Sequence, residues 1–247
     1  MAEFPKGPDQ PTTDQSDIKT EATVTGDPSV SARITDLLKE DPHVIKIADI
    51  ATQLGLEPVE KTLPNGRVVK QIQWSPDHLP QVFDLVNQAR EKSGLGKNDS
   101  VTIDGMCPTW LLPTISHAWH PTSTAVKYPQ GGPDAKLPLS GVLMEGEGSA
   151  ENVDFKVEEK DDYTVVEFSL TAPQIDIQRT LQTLVAPAVQ EGKAVHITGR
   201  GPIAIAASLA EAYAHKIPYV ANFQPGVGFV VSISHDDKHP IGTVLPQ

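Results

Sequence analysis

One short segment of this chain has the residue types that hold anions. Thr198, Gly199, Arg200 and Gly201 follow an apolar run and precede a proline and an alanine-rich stretch. Proline suits the first turn of a helix, and glycine lets the backbone approach a ligand closely. The pattern predicts a strand, a turn and a helix whose N–H groups and Arg200 guanidinium bind phosphate. The alternative is a tight turn that carries a surface arginine.

Histidines form a second group of candidate residues. His117 and His120 have i, i+3 spacing near the end of a predicted helix, so they share one face and could ligate a metal or act as acid and base. Pro113 is expected to kink this helix. Ser234 and His235 end an apolar predicted strand, and the neighbouring aspartates could orient the His235 imidazole. The alternative for His117 and His120 is that they are ordinary surface or helix-end histidines.

The segment that contains the glycine turn has a counterpart earlier in the chain. Residues 100–105 (SVTIDG) and 194–199 (AVHITG) align without gaps, and Pro108 and Pro202 keep the same offset as Gly105 and Gly199. Asp104 therefore ends the earlier strand at the position of Thr198, and it is a second candidate for ligand contact. The match predicts two diverged copies of one unit, and the alternative is two unrelated halves with a chance match.

Flanking patterns extend each copy to the element order β-β-α-β-α-β-β. Each strand pair reads as a hairpin, and the following stretch has helical spacing. We predict a disordered tail over residues 1–28, a helical lead-in over 29–56, a first unit over 57–145 and a second over 153–247. The fold class is therefore α/β, or more loosely α+β.

Composition limits the classes of function. The chain has 247 residues, one cysteine and a formal net charge of −12. The negative charge argues against a broad duplex-binding surface, although it allows a local anion pocket. No apolar run is long enough for a membrane span, and the N-terminus lacks the pattern of a secretory signal. These features predict a cytoplasmic protein without membrane contact. The lone thiol, Cys107, is compatible with a nucleophile but gives little support for one.

The second copy resembles the small manganese-dependent ring nucleases of type III CRISPR systems. The resemblance covers about 90 residues and depends on the Gly-Arg-Gly-Pro turn and the Ser-His strand end. The segments that carry it are Val165–Leu170, Ala194–Ile203, His215–Pro225 and Val230–Leu245. In the first copy, Pro108, Trp110, His117, Trp119 and His120 match the family's turn and helix more faintly.

The resemblance implies a fold, a ligand and a cofactor. The family forms symmetric dimers of ferredoxin-like or Rossmann-like topology, so this chain would be a pseudo-dimer within one polypeptide. The ligand would be cyclic tetra-adenylate, a cyclic oligoadenylate messenger of antiviral defence, cleaved with manganese. Thr198, Gly199, Arg200, Gly201, Asp104 and Ser234 would bind it. His117, His120 and His235 would be catalytic, with His117 and His120 as metal ligands.

Several departures from the family pattern leave catalysis open. The family's catalytic aspartate falls on Gln224 in the second copy and on Pro129 in the first, and its arginine falls on Gly226. A composite site would join Arg200 and His235 of one copy to the first copy's histidine pair, with Asp134 as a stand-in carboxylate.

Three functions remain after these departures. The first is recognition of a cyclic oligonucleotide with metal-dependent cleavage of its phosphodiester bonds. The second is a binder or effector partner that has lost ring nuclease activity. The third is an unrelated enzyme with a phosphate-containing ligand that shares only the turn.

Overall fold

The computed structural model describes Leu37 and residues 41–127, 136–139, 153–171, 192–200 and 203–246. The tail predicted over residues 1–28 lies outside these ranges, as do the helix expected near residues 175–190, Gly201 and Asp134. Counts of helices and strands refer to these residues.

The first half contains three helices and six strands in the order β1-α1-β2-β3-α2-β4-α3-β5-β6. Their bounds are β1 Val44–Lys46, α1 Ile47–Gln53, β2 Pro58–Thr62, β3 Val68–Ile72, α2 Leu79–Ser93, β4 Ser100–Asp104, α3 Leu111–Ala118, β5 Ser123–Lys127 and β6 Lys136–Pro138. Four of these strands form a sheet of order β1-β4-β5-β6, in which the first three are parallel and β6 is antiparallel. The hairpin β2–β3 is a separate two-stranded sheet.

The second half contains one described helix and six strands. Their bounds are β7 Val153–Glu159, β8 Tyr163–Leu170, β9 Ala194–Arg200, α4 Ile203–Ala214, β10 Tyr219–Gln224, β11 Gly228–Ser234 and β12 Val244–Leu245. They form one sheet of order β12-β11-β10-β9-β8-β7. Strands β8, β9 and β10 are parallel, and the outer strands are antiparallel. The α/β class is confirmed, and the parallel strands joined by a helix correspond to the Rossmann-like alternative.

The two sheets have the same arrangement of central strands but different neighbouring strands. In each, a parallel strand pair joined by a helix (β4–α3–β5 and β9–α4–β10) is followed by an antiparallel strand. In the second sheet, β9 has β8 as its other parallel neighbour. In the first sheet, the equivalent strand β4 has β1 in that position. The predicted hairpin β2–β3 forms but does not join the sheet, and the lead-in predicted as helical contains strand β1 before helix α1.

Helix α2 shows why the local sequence folds as predicted. Ser75 precedes it, and the Ser75 hydroxyl accepts from the Asp77 N–H at the short 3₁₀ turn Pro76–His78. Gly94 ends the helix in the left-handed conformation, with φ of 71°, which glycine adopts without a steric cost. One face of the helix, including Leu79, Val82 and Val86, is buried in the core of the first half.

Helix α3 lies at the centre of the molecule. Seven of its residues are buried: Leu111, Leu112, Pro113, Thr114, Ile115, Ser116 and Ala118. A helix that is apolar on all sides must be covered on all sides, and α3 packs against α2, α4 and β11. Pro113 occupies the first turn, where its missing N–H has no intrahelical partner to lose, so the expected kink is not required.

A buried hydrogen bond joins α3 to the second sheet. The ladder between β10 and β11 shifts register between Val220 and Ala221, which leaves Ser232 out of the paired residues. The Thr114 hydroxyl lies 2.7 Å from the Ser232 carbonyl oxygen and donates to it. The bulge therefore supplies an acceptor that α3 satisfies.

We expect Thr114→Val to lower the free energy of unfolding by about 1–3 kcal/mol, because it strands the buried Ser232 carbonyl without changing the side-chain shape. Chemical denaturation measures the loss. Thr109→Val is the matched control, since the Thr109 hydroxyl donates to the Phe223 carbonyl at 3.2 Å in a part-buried position, and it should cost less. Equal losses in the two variants would contradict this role of Thr114.

Candidate functional site

Two similar strand-to-helix turns lie at one end of the molecule. Gly105 follows β4 with φ of 125°, and Gly199 lies near the end of β9 with φ of 144°. Each is pressed against the neighbouring strand region: a Cβ on Gly105 would lie 2.9 Å from the Ile47 Cβ, and one on Gly199 would lie 2.0 Å from the Phe168 carbonyl oxygen. Both turns therefore require glycine, and both lead into a helix at the carboxyl end of a parallel sheet.

The polar side chains predicted for ligand binding line these turns. Arg200 is exposed and Thr198 is half-buried at the end of β9. In the first turn, Asp104 pairs with Lys127 at 3.1 Å. Thr109, which precedes α3, donates to Phe223 at the end of β10, and this contact brings the two turns to the same end of the packed helices. We use the name carboxyl-end cleft for the surface that carries Asp104, Thr109, Lys127, Thr198 and Arg200, and the name refers to this set of residues alone.

Four histidines meet at the opposite end of helices α3 and α4. The ring centroids of His117 and His235 are 5.2 Å apart, those of His117 and His215 are 5.7 Å apart, and those of His120 and His215 are 4.6 Å apart. His117 and His120 come from the end of α3, His215 follows α4, and His235 follows β11. The structure thus joins three of the predicted catalytic residues from both halves and adds His215.

Burial controls the protonation of this histidine cluster. Desolvation, together with the neighbouring imidazoles, lowers the pKa of His117 to about 4. Desolvation also lowers the pKa of His120, with smaller contributions from His215 and Arg90. The His117 Nδ1 is buried without a hydrogen-bond partner. His117 is therefore neutral near pH 7 and can serve as a base or ligand but not as an acid.

The composite site expected from the sequence is not formed as one site. Arg200 lies just before α4 and His215 just after it, and this helix has 12 residues, a length of about 18 Å. His235, His117 and His120 are together, as predicted, but Arg200, Thr198 and Asp104 lie at the other end. The reason is the direction of the helices: each begins at the carboxyl end of its sheet and ends at the amino end.

Ser234 and its neighbours have a different role from the one expected. The Ser234 hydroxyl lies 2.9 Å from the Asp236 carbonyl oxygen and 3.0 Å from the Asp236 N–H, so it stabilises the turn after β11. Asp236 pairs with the His239 imidazole at 2.8 Å and does not orient His235. Ser234 therefore lies outside the carboxyl-end cleft. Its position does not support the expectation that it binds the ligand.

The donor set of the histidine cluster does not fit manganese. Manganese prefers carboxylate, carbonyl and water oxygens, whereas imidazole suits zinc, copper, iron and nickel. The cluster is built of imidazoles, and within the ranges that the structure describes no three His, Cys, Asp or Glu side chains are placed to hold one ion. We therefore derive no reaction step through a metal.

Sequence reasoning gave two other residues too little weight. His215 follows α4 one residue beyond Ala214, the position that the repeat gives for His120, so the internal repeat indicated it to within one residue. Lys127 ends β5, and parallel neighbouring strands could have placed it beside Asp104. Conversely, half-buried Cys107 is packed against the core, and burial raises the pKa of its thiol to about 12, which argues against a thiolate nucleophile at neutral pH.

The fold defines a Rossmann-like α/β protein in which a glycine turn follows the central parallel strand of each half. Residues 169–246, about a third of the chain, match the family model of the CRISPR-associated protein (Cas_csx3). This match supports the CRISPR-associated part of the resemblance over these residues. Among the described helices, we find none with the length and apolar character to cross a bilayer.

Solved structures with a similar arrangement include the Acinetobacter baumannii Cap4 SAVED/CARF-domain containing receptor. The alignment with the receptor bound to the cyclic trinucleotide 3′3′3′-cAAA covers 65% of this chain and 44% of the receptor chain, with 8% sequence identity and a TM-score of 0.43. The alignment with a second structure of the receptor covers 66% of this chain and 42% of the receptor chain, with 8% sequence identity and a TM-score of 0.45. The alignment with the receptor bound to the cyclic trinucleotide 2′3′3′-cAAA covers 66% of this chain and 45% of the receptor chain, with 9% sequence identity and a TM-score of 0.45. This chain spans less than half of each of those chains.

Proposed function

We propose that the protein binds a cyclic oligonucleotide messenger of CRISPR defence at the carboxyl-end cleft. The observation that carries the proposal is that two glycine turns, each leading into a helix, lie at one end of the packed helices α3 and α4. Helix N-termini present unpaired N–H groups and a positive dipole end, and two of them suit the phosphates of a ring. The Cas_csx3 match over the second turn supports the CRISPR context.

The charges of the cleft support a phosphate ligand despite the acidity of the whole chain. Arg200 is exposed beside the second turn, and its guanidinium can form two parallel bonds to a phosphate. Lys127 adds a second cation beside the first turn, partly neutralised by Asp104. A local pair of cations concentrates an anionic ligand even where the net charge is −12.

The proposal is binding, without cleavage of the ligand at the cleft. The histidines that could transfer protons lie beyond the far end of α4, and general acid–base catalysis requires hydrogen-bond distance to the reacting group. The carboxylate that the resemblance assigns to catalysis is replaced by Gln224 in the second half. These two observations favour a messenger binder over a ring nuclease that acts within one chain.

We expect the full-length protein to bind cyclic tetra-adenylate and Arg200→Ala to weaken binding about tenfold or more, because a charge-assisted bidentate contact is lost. Isothermal titration calorimetry measures the affinity. Arg200→Lys should recover part of it, since lysine supplies a point charge without the fork. His120→Ala, at the other end of the helices, is the matched control and should bind normally.

Two results would overturn the proposal. One is no detectable binding of cyclic tri- or tetra-adenylate by the wild type. The other is conversion of the ring to linear product, with or without manganese, that His120→Ala abolishes, since this would make the protein a nuclease. Chromatography of the ligand after incubation distinguishes binding from turnover.

A further inference from the structure

A cavity opens at the amino end of the second sheet, away from the carboxyl-end cleft. Tyr163, Ala194 and Tyr219, which are the first residues of the parallel strands β8, β9 and β10, line it. The chain after β11 and the end of β12 close its side. Its volume is about 660 Å³, within the range of small-ligand pockets.

The inner wall of this cavity is aromatic and continuous. The rings of Tyr163 and His196 are stacked with centroids 4.1 Å apart and an interplanar angle of 13°. His196 also packs on Phe229, at 4.8 Å, and its Nε2 lies 3.3 Å from the Tyr219 hydroxyl. His196 and Tyr219 are only 3% and 7% exposed, whereas Tyr163 is half-buried and lines the cavity, so its ring has surface for a ligand.

Fixed polar groups surround the wall. The Tyr219 ring is covered by the His239 imidazole at a centroid distance of 4.5 Å, and His239 is held by Asp236 at 2.8 Å. The hydrogen bond from His239 lowers the pKa of Asp236. Lys193 is also positioned, because its ammonium donates to the Lys160 carbonyl at 2.9 Å. These contacts hold the polar groups in place before any ligand arrives.

Electrostatics keep the buried part of the wall neutral. Desolvation lowers the pKa of His196 to about 4, with a contribution from His239. The imidazole is therefore uncharged near pH 7 and forms an apolar stacking surface with one donor and one acceptor. At the rim, three carboxylates (Asp161, Asp162 and Asp236) face two ammonium groups (Lys193 and Lys238).

We propose that this cavity binds a nucleobase carried by a nucleoside or a nucleoside monophosphate. A nucleobase is a flat ring that stacks on tyrosine, and its edge carries both donors and acceptors that match carboxylate and ammonium groups. The rim has more carboxylates than ammonium groups, so it should disfavour a polyphosphate chain more strongly than a single phosphate, because the larger charge is repelled more. The site is separate from the carboxyl-end cleft and does not depend on its ligand.

The test is titration of the full-length protein with adenosine, guanosine, cytidine and uridine, their monophosphates, and ATP, by isothermal titration calorimetry. We expect at least one nucleoside and its monophosphate to bind, with ATP at least tenfold weaker. Tyr163→Ala should weaken binding about tenfold, since it removes the stacking surface. Tyr163→Phe keeps the ring, so its nucleoside affinity should stay within about threefold of that of the wild type. This control separates loss of the stacking ring from loss of the hydroxyl group.

Arg200→Ala separates this proposal from the proposed function, because it alters only the carboxyl-end cleft and should leave nucleoside affinity unchanged. The proposal is overturned if no nucleoside or monophosphate binds at millimolar concentration. It is also overturned if the folded Tyr163→Ala variant binds as the wild type does, or if Arg200→Ala abolishes nucleoside binding, which would assign the ligand to the cleft.

Discussion

Gly199→Ala should lower the free energy of unfolding by roughly 3–5 kcal/mol, the largest loss that we expect from a single methyl group in this chain. Gly199 has φ of 144°, where an L side chain is strained. The added Cβ would also lie 2.0 Å from the Phe168 carbonyl oxygen, which belongs to a paired backbone and cannot rotate away. Strands β8 and β9 would have to separate, and chemical denaturation measures the cost.

Two other glycines separate the contributions to this loss. Gly66, with φ of 80°, has no atom within 4 Å of an added Cβ, so Gly66→Ala should cost about 1 kcal/mol from the backbone alone. Gly105→Ala should fall between the two, because its Cβ would meet the Ile47 Cβ at 2.9 Å, a milder overlap than the 2.0 Å at Gly199. If Gly199→Ala lowers the free energy of unfolding no more than Gly66→Ala does, strands β8 and β9 are farther apart at Gly199 than this structure has them.

Local signals predicted the centre of each half because strand and helix there depend on neighbouring residues. The apolar runs before Gly105 and Gly199 became β4 and β9, which begin at Ser100 and Ala194, the residues that start the aligned segments. The helices after them begin 92 residues apart, at Leu111 and Ile203, so they keep the offset only to within two residues. A turn that needs glycine, a helix start and an apolar strand are all specified within a few residues.

The sheet neighbours could not be predicted in the same way. Strand β1 has three residues and pairs with Thr102, Ile103 and Asp104 far along the chain. Nothing within Val44–Lys46 distinguishes a strand from the start of the helical pattern that follows. The hairpin β2–β3 was predicted from its Asn65-Gly66 turn, but whether a hairpin joins a sheet depends on tertiary pairing.

The candidate site was predicted by residue type and only partly by position. His117, His120 and His235 do meet, because helix ends and a strand end converge at one end of the molecule. The sequence repeat does not reveal which end each helix presents, so Arg200 was placed with them although α4 separates it from His215. The polarity of a helix between parallel strands would have assigned the turn to one end and the histidines to the other.

Glu211→Gln should stabilise the protein at neutral pH, by about 3 kcal/mol at pH 7, and by only about 1 kcal/mol at pH 5. Glu211 lies on α4 facing α3 and is 8% exposed, with its Oε1 unpaired. Burial raises the pKa of its carboxyl from 4.5 to about 8, opposed by a hydrogen bond with Ser116. Glutamine has the same shape as the protonated acid and does not titrate.

The sign of the pH dependence follows from proton uptake. Below pH 4.5 the Glu211 carboxyl is protonated in both the folded and the unfolded chain, so it costs nothing. As pH rises from 4.5 through about 8, the unfolded chain releases the proton while the folded chain retains it, and stability is lost progressively. The advantage of Glu211→Gln should therefore grow with pH over this window and become constant above it.

Denaturation by guanidinium chloride at pH 5, 6, 7 and 8 measures this advantage, and Glu57→Gln is the matched control on an exposed side chain. The control should change stability by less than about 0.5 kcal/mol at every pH. Because α4 carries Glu211 between the carboxyl-end cleft and His215, the result also reports how tightly α3 and α4 pack. An advantage that does not change with pH would mean that water reaches the carboxylate, and that the helix interface joining the two halves is open.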